Sequence, residues 1–423
     1  MIPGVPAPDG GPKRFRDGGT HRTAAPGATL ARVLPLAPAL GITNVADITG
    51  LDRIGVPVAA AYRPNSRFLA VFQGKGASLD AAKASAVMEA AEAWHAERVA
   101  LPRRGGRHAE LLAAGLPAVD PARLERAADS PPGDPRQAGF DWVEGRDLFT
   151  GEPRWVPLDV VTADFTVAGM PRGPLRATTN GLASGNHPLE AIAHGLAEVI
   201  ERDAVALWSL LPEAAQDATA LDLSAAPAAL RGPLLDRFGA AGVALRAFDA
   251  TSDIGVATVI CLAAEESGGG VEGAVMPELG AGCHLDPAIA LARAVGEVAQ
   301  GRLQRIAGAR EDLAEGAWRG RLHAERAAAA RAWLEASATP RRRFGALPDL
   351  SGETLADDVA AMLARLAAAG LGEAVWVDLA RPEIGLPVAR VVVPGLEGLP
   401  GPIGGGYVRG PRARAATGGS GVR

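Results

Sequence analysis

Along residues 181–205, GLASGNHPLEAIAHGLAEVIERDAV, polar and apolar positions separate as on a helix that follows a glycine-containing turn, Gly181 to Gly185. Glu190, His194, Glu198 and Glu201 stand at i, i+4, i+8 and i+11. At about 100° per residue they fall in a stripe about 80° wide. Ile192, Leu196, Val199 and Ile200 point the other way. An amphipathic surface helix with a solvated acidic face is the plain reading. Against it, the stripe holds three carboxylates and no Lys or Arg at i+4 to neutralise them, and like charges so placed destabilise a helix. A divalent cation is the natural counter-charge.

The same patterning sets out the rest of the chain. VPVAAAY (56–62) and RFLAVFQ (67–73) read as strands joined by the turn RPNS. A long helix is expected over 79–100, strands within 141–166 and a helix over 227–239. Strands at 243–249 and 256–263 precede a GGG turn and VEGAVM. A helix over 286–306 leads into an Arg-rich helical stretch, 307–345. A helix at 352–370 is followed by strands at 374–380 and 386–395. Residues 1–28 read as a flexible or loosely docked arm, 29–400 as the main domain, and 401–423 as a disordered Gly/Arg-rich tail. Hairpins mixed with alternating strands and helices favour an α+β fold over a doubly wound parallel sheet.

Composition then narrows the function. A net charge of -5 over 423 residues gives no polyanion-binding signal, so no nucleic acid partner is expected. No uncharged apolar run approaches membrane-spanning length, and MIPGVPAPDGGPKRF lacks the apolar stretch of a signal peptide. Cys261 and Cys283 are the only cysteines, too few for a disulfide framework or a zinc site, and a cytoplasmic setting is the simplest. Cys261 lies in an apolar strand and reads as core. Cys283 lies in a glycine turn, where a reactive role is open.

Three helices share one layout. Each follows a glycine turn: Gly74-Lys75-Gly76, Gly181 to Gly185, and Gly280-Ala281-Gly282. Each then reaches a glutamate, Glu89, Glu198 or Glu297, with Ser85, His194 or Arg293 four residues before and Glu92, Glu201 or Gln300 three after. Helix N-termini suit phosphates, and carboxylates further along can hold Mg²⁺ that bridges them. Arg293, Arg202 and Lys75 are suited to phosphate oxygens. The pattern predicts an ATP–Mg²⁺ site without a Walker A loop, since no GxxxxGK[ST] occurs. Three Ala-rich helices carrying exposed glutamates would give the same pattern, and the residues alone leave both readings open.

GKGASLDAAKASAVMEAAE, ASGNHPLEAIAHGLAEVIERDA, ALARAVGEVAQGR and VARVVVPG, in this order over about residues 20–400, resemble the YcaO family. The resemblance implies an α+β fold with internal pseudo-symmetry, and use of ATP and Mg²⁺ to activate a peptide backbone amide. In such enzymes the amide oxygen attacks the γ-phosphate. Replacement by a Cys, Ser or Thr side chain gives an azoline, and replacement by sulfide gives a thioamide. Carried over by motif, Glu89 and Glu92 match the first metal-binding pair, Asn186 and Glu190 the loop asparagine and the glutamate after it, and Glu198, Glu201 and Arg202 the ExxER. Arg293 and Glu297 match the late Arg–x3–Glu. Arg22 and Thr29 sit where nucleotide-contacting Lys and Ser occur in some relatives. One relative has Ser three residues before the loop asparagine; here that position is Ala183, with Ser184 beside it. The implied metal ligands are Glu89, Glu92, Glu190, Glu198, Glu201 and Glu297. The implied nucleotide contacts are Arg22, Thr29, Lys75, Ser184, Asn186, Arg202 and Arg293, and the catalytic candidates are Glu201, Arg202 and His194.

The stand-alone length, the GTHR segment and DLARPEIGLPVARVVVPGLE look more like members paired with a TfuA-type partner, which implies thioamide formation on a peptide or protein substrate. Azoline formation with a leader-binding partner is the competing branch, and a homodimer is possible. Two readings from other classes remain: a nucleotide-free dimetal carboxylate enzyme, for which Glu-x-x-His pairs are missing from the three helices, and a non-catalytic peptide-binding scaffold.

Overall fold

In the computed structural model, three antiparallel sheets each hand an edge strand to a long helix. Residues 2–417 are described, apart from 18, 131, 171–172, 266–275, 310–320, 337–338 and 400–406. In the first unit, Asn44–Asp47 and Val58–Tyr62 pair with β1 (Val71–Lys75), and α1 (Leu79–Ala96) follows. In the second, β2 (Leu182–Ser184) forms the edge of a six-stranded sheet beside Val388–Val392, and α2 (Pro188–Trp208) follows. In the third, Val243–Asp249 and Thr258–Glu265 pair with β3 (Glu278–Cys283), and α3 (Pro287–Ile306) follows.

Local chemistry starts each helix. The Ser78, His187 and Asp286 side chains accept N–H bonds from Ala81, Leu189 and Ala288, and Pro188 and Pro287 occupy the first turns where no donor is needed. The apolar side of α2 is buried as its spacing predicts. Ile192, Leu196, Val199 and Ile200 pack with Val359, Met362 and Leu363 of the helix Leu355–Ala368.

The glycines are placed differently from the expectation. Gly74, Gly280 and Gly282 lie inside strands rather than in turns. Their role is close approach of strand to helix. A Cβ on Gly74 would lie 2.1 Å from the Ala86 nitrogen, and one on Gly282 would lie 2.1 Å from the Ala290 oxygen. The Ala-rich faces of α1 and α3 complete these tight seams, which draw the helices in around a common centre.

Both chain ends also depart from the expectation. The N-terminal segment, read as a flexible arm, is packed: Ile2, Val5 and Ala7 join the core around α2. The buried ammonium of Lys13 sits 2.7 Å from Asp358, and Phe15–Asp17 pairs with Thr20–Arg22. In the tail, read as disordered, Tyr407–Val408 pairs with Arg126–Ala127, and Pro411–Ala416 forms a helix docked through Arg412 on Asp203 of α2 at 2.9 Å. Of the Arg-rich stretch, Arg321–Ala336 is helical. The helix expected over 227–239 is broken into three short pieces. Val271 to Val275, in VEGAVM, lie outside the described residues. No helix among the described residues is long and apolar enough to cross a membrane.

Candidate active site

A cavity of about 480 Å³ opens where α1, α2 and α3 meet. All the metal, nucleotide and catalytic candidates that the resemblance implies line it: Arg22, Thr29, Lys75, Glu89, Glu92, Ser184, Asn186, Glu190, His194, Glu198, Glu201, Arg202, Arg293 and Glu297. Residues as far apart in sequence as Arg22 and Glu297 thus share one chamber, and the scattered exposed glutamates of the plain reading are not what the fold makes.

Most of the carboxylates are tied to neighbouring backbone. On α1, Glu92 accepts the Ser184 N–H at 2.8 Å and its hydroxyl at 2.7 Å. On α2, Glu201 accepts the Cys283 N–H at 2.9 Å. On α3, Glu297 accepts the Ala281 N–H at 2.8 Å. Glu92 therefore clasps the second unit and Glu201 the third. Each of these bonds uses one carboxylate oxygen; the other is left for a ligand in Glu92 and Glu297, and in Glu201 it faces Arg202. Glu190 differs, because both its oxygens are engaged: one by the Thr23 N–H and hydroxyl, the other by the Asn186 N–H at 2.7 Å and side-chain amide at 3.3 Å. In this state it organises the wall of the cavity. Asn186 also donates to Thr29 at 2.9 Å. Ser184, expected to contact nucleotide, spends its hydroxyl on Glu92.

One charge expectation is corrected. Arg202 lies at i+4 from Glu198 and reaches it at 3.6 Å, and it reaches Glu201 at 3.3 Å. Even so, acid outnumbers base. Burial, with Glu198 and Glu297 nearby, raises Glu89 to about 7 against the pull of Lys75. Burial, with Glu89 and Glu198, raises Glu92 to about 8 despite its bonds from Ser184. Burial also raises Glu198 and Glu201. Burial pushes Glu297 up as well, but Lys75, Arg202 and the Ala281 N–H outweigh it and hold the group below its ordinary value. Acids that hold protons near neutrality, with oxygens free toward a chamber, are a donor set that a hard dication would displace protons to reach. The residues fit Mg²⁺.

The other charges complete the chamber. Lys75 donates to Gln300 at 3.2 Å, and Arg293 donates to His194 at 3.1 Å. Phe68, Phe72, Met88, Leu230 and Leu234 add an apolar side. Gln300 appeared in the threefold pattern, whereas the apolar wall carried no sequence signal that separates it from core. Arg390 was also missed: this buried guanidinium donates to the Thr178 carbonyl and lies near enough to Glu198 to favour its charged form. The thiol of Cys283 is fully buried and pushed up to about 12 by that burial, so it is a core thiol and not a nucleophile. Beside the cavity, ligand atoms of His21, His284 and Asp358 lie within 4.8 Å of one another, but the Lys13 ammonium already pairs with Asp358.

A family model described as YcaO cyclodehydratase, ATP- and Mg²⁺-binding, matches residues 73–397. This chain belongs to the YcaO family. Two uncharacterized relatives match it over most of both chains. One, from Methanothermobacter thermautotrophicus, is 36% identical over 85% of this chain and 90% of its own. The other, from Rhizobium leguminosarum bv. trifolii, described as lying in the tfuA 3' region, is 34% identical over 89% and 88%. Among solved structures, YcaO from Methanopyrus kandleri bound with AMPPCP and Mg²⁺ is similar at a TM-score of 0.67 and 26% identity, covering 92% of this chain and 95% of that one. A heterocyclase in complex with substrate and cofactor shares the fold at a TM-score of 0.72 and 24% identity; this chain spans 55% of its length. The fold is the α+β YcaO architecture, and the family is ATP- and Mg²⁺-binding.

Proposed function

We propose that this YcaO chain uses ATP and Mg²⁺ to phosphorylate a backbone amide oxygen of a peptide, and that sulfide then replaces that oxygen to leave a thioamide, with a TfuA-type protein as partner. The observation that carries the nucleotide part is the convergence of six glutamates, Lys75, Arg22, Arg202 and Arg293 on one chamber. The relative described by its tfuA 3' region supports the branch.

Glu89, Glu198, Glu201 and Glu297, with the free oxygen of Glu92, would hold Mg²⁺. The ion supplies neutralisation of the triphosphate and of the charge that builds on it during transfer. Lys75, Arg22 and Arg293, set among these carboxylates, bind and orient phosphate oxygens. In the first step a bond forms from the amide oxygen to the γ-phosphorus while the bond from phosphorus to ADP breaks, ADP taking the electron pair. In the second, hydrosulfide adds to the amide carbon, and phosphate leaves with the original oxygen and the sulfhydryl proton. Amide oxygen is a weak nucleophile, so holding it in line with the γ-phosphate is the larger share of the task. Glu190 and Asn186 keep the wall formed by residues 22–29 in place.

Azoline formation is the second reading, favoured by the family's description as a cyclodehydratase. Calorimetry with ATP and Mg²⁺ tests the shared part: binding that is absent, or unchanged in Glu198→Gln, would overturn it. Mass spectrometry of a co-expressed precursor separates the branches, with a gain of roughly 16 Da for sulfur in place of oxygen and a loss of roughly 18 Da for water.

A further inference from the structure

His194 lies in the second turn of α2, facing the chamber, and Arg293 reaches it from α3. The bond is Arg293 Nη1 to His194 Nδ1 at 3.1 Å. A guanidinium offers donors and no acceptor, so Nδ1 is the acceptor. A neutral imidazole with its lone pair at Nδ1 carries its proton on Nε2. No other hydrogen bond engages His194 among the described residues.

The surroundings oppose any further proton on the ring. Burial, then Arg293, Arg22, Lys75 and His284, hold its pKa well below the ordinary histidine value. The carboxylates one turn to either side do not offset them. Glu190 is taken up by Thr23 and Asn186, and Glu198 by Arg202. The same cations, Arg22, Lys75 and Arg293, line the chamber around His194 and are where anionic oxygens would gather.

We infer that His194 serves the reaction as a neutral hydrogen-bond donor, its Nε2–H directed at an anionic phosphoryl oxygen, and that Arg293 is the positioning residue that fixes this tautomer. The inference rests on the nucleotide reading above and assigns one residue's part in it. It leaves His194, a catalytic candidate from the sequence, no part as a general base. Nε2 has no lone pair to take a proton, and protonating Nδ1 would set an imidazolium against a guanidinium. No proton is transferred; the N–H strengthens its bond as charge grows on the oxygen, and the ring ends the cycle as it began.

The test uses the full chain labelled with ¹⁵N-histidine, the His194 resonances being assigned by their loss in His194→Gln. Two-bond ¹H–¹⁵N correlation spectra are expected to show the Nε2–H tautomer between about pH 6 and 8, the range in which an unperturbed histidine titrates. The Nε2 signal is expected to shift when β,γ-methylene-ATP and Mg²⁺ are added. Calorimetry with the same probe is expected to show binding about tenfold weaker in His194→Ala and within about threefold of the parent in His194→Gln, whose amide can donate from a similar position. An imidazolium pattern, an Nδ1–H tautomer, or equal losses in both variants would overturn the assignment. Absence of probe binding to the parent protein would overturn the nucleotide reading instead, so the two failures are distinguishable.

Discussion

On one side of α2, Asp203 is fully buried and held by the Arg412 guanidinium through two bonds of 2.9 Å, with the Glu397 N–H added at 3.0 Å. On the other side, Glu198 and Glu201 share the single guanidinium of Arg202 at 3.6 and 3.3 Å while facing Glu89, Glu92 and Glu297. One helix thus buries carboxylates in two ways. Where the chain needs only cohesion, the buried carboxylate has both oxygens held by one guanidinium, which also reaches the exposed Asp253. Where the three helices meet, the acids outnumber the bases, a deficit of positive charge that a dication would fill. Buried charge alone does not mark a site; buried charge that the protein leaves uncompensated does.

Exchanging a carboxylate for an amide should separate the two sides. Glu201→Gln keeps an oxygen for the Cys283 N–H but removes a charge from the chamber. Turnover should fall by about 10²–10³-fold with little change in melting temperature, read by phosphate release and calorimetry. Equal activity would erase the distinction. Asp203→Ala should do the reverse, leaving Arg412 only the exposed Asp253 and the Glu397 N–H without its acceptor, and costing about 3 kcal/mol by denaturant titration, with activity per folded molecule preserved. A strong loss of activity without loss of stability would show that the far side of α2 also belongs to the site. Gly282→Ala tests the seam that brings α3 close enough for this imbalance to exist. It should cost about 2 kcal/mol, because its Cβ meets helix backbone that cannot turn aside.

Titration gives the smallest and most diagnostic effect. Glu89 and Glu92, raised to about 7 and about 8, bind protons in the folded chain that they would not hold unfolded. Their contribution to stability is therefore present at low pH and lost as pH rises from about 4.5 through about 8. Mg²⁺ affinity must run the opposite way and strengthen over the upper part of that window, as the ion displaces those protons. Melting curves with and without Mg²⁺ at pH 6 and pH 8.5 should diverge with rising pH; parallel curves would contradict the acid surplus.

Much of this was legible in the chain. The spacing of Glu190, His194, Glu198 and Glu201 sets a stripe on any helix, and the recurrence of turn, helix and glutamate picks out its two companions. What was hidden depends on long-range pairing. Arg412 finds Asp203 across 209 positions, and no local pattern announces it. Ile2, Val5 and Ala7 are too sparse and too close to prolines to read as core, yet they fill a gap beside α2. Glycine within a strand pressed on a helix looks, in sequence, the same as glycine in a turn. The partners of Glu190 were likewise out of reach, since Thr23 lies 167 residues away.

The clasps across units carry a last consequence. Glu92 holds the Ser184 amide and Glu201 the Cys283 amide, so any swing of either side chain toward a ligand must loosen a strand belonging to the next unit. A ligand that drew on either carboxylate would then be felt in the neighbouring sheet, where these two backbone protons would register it.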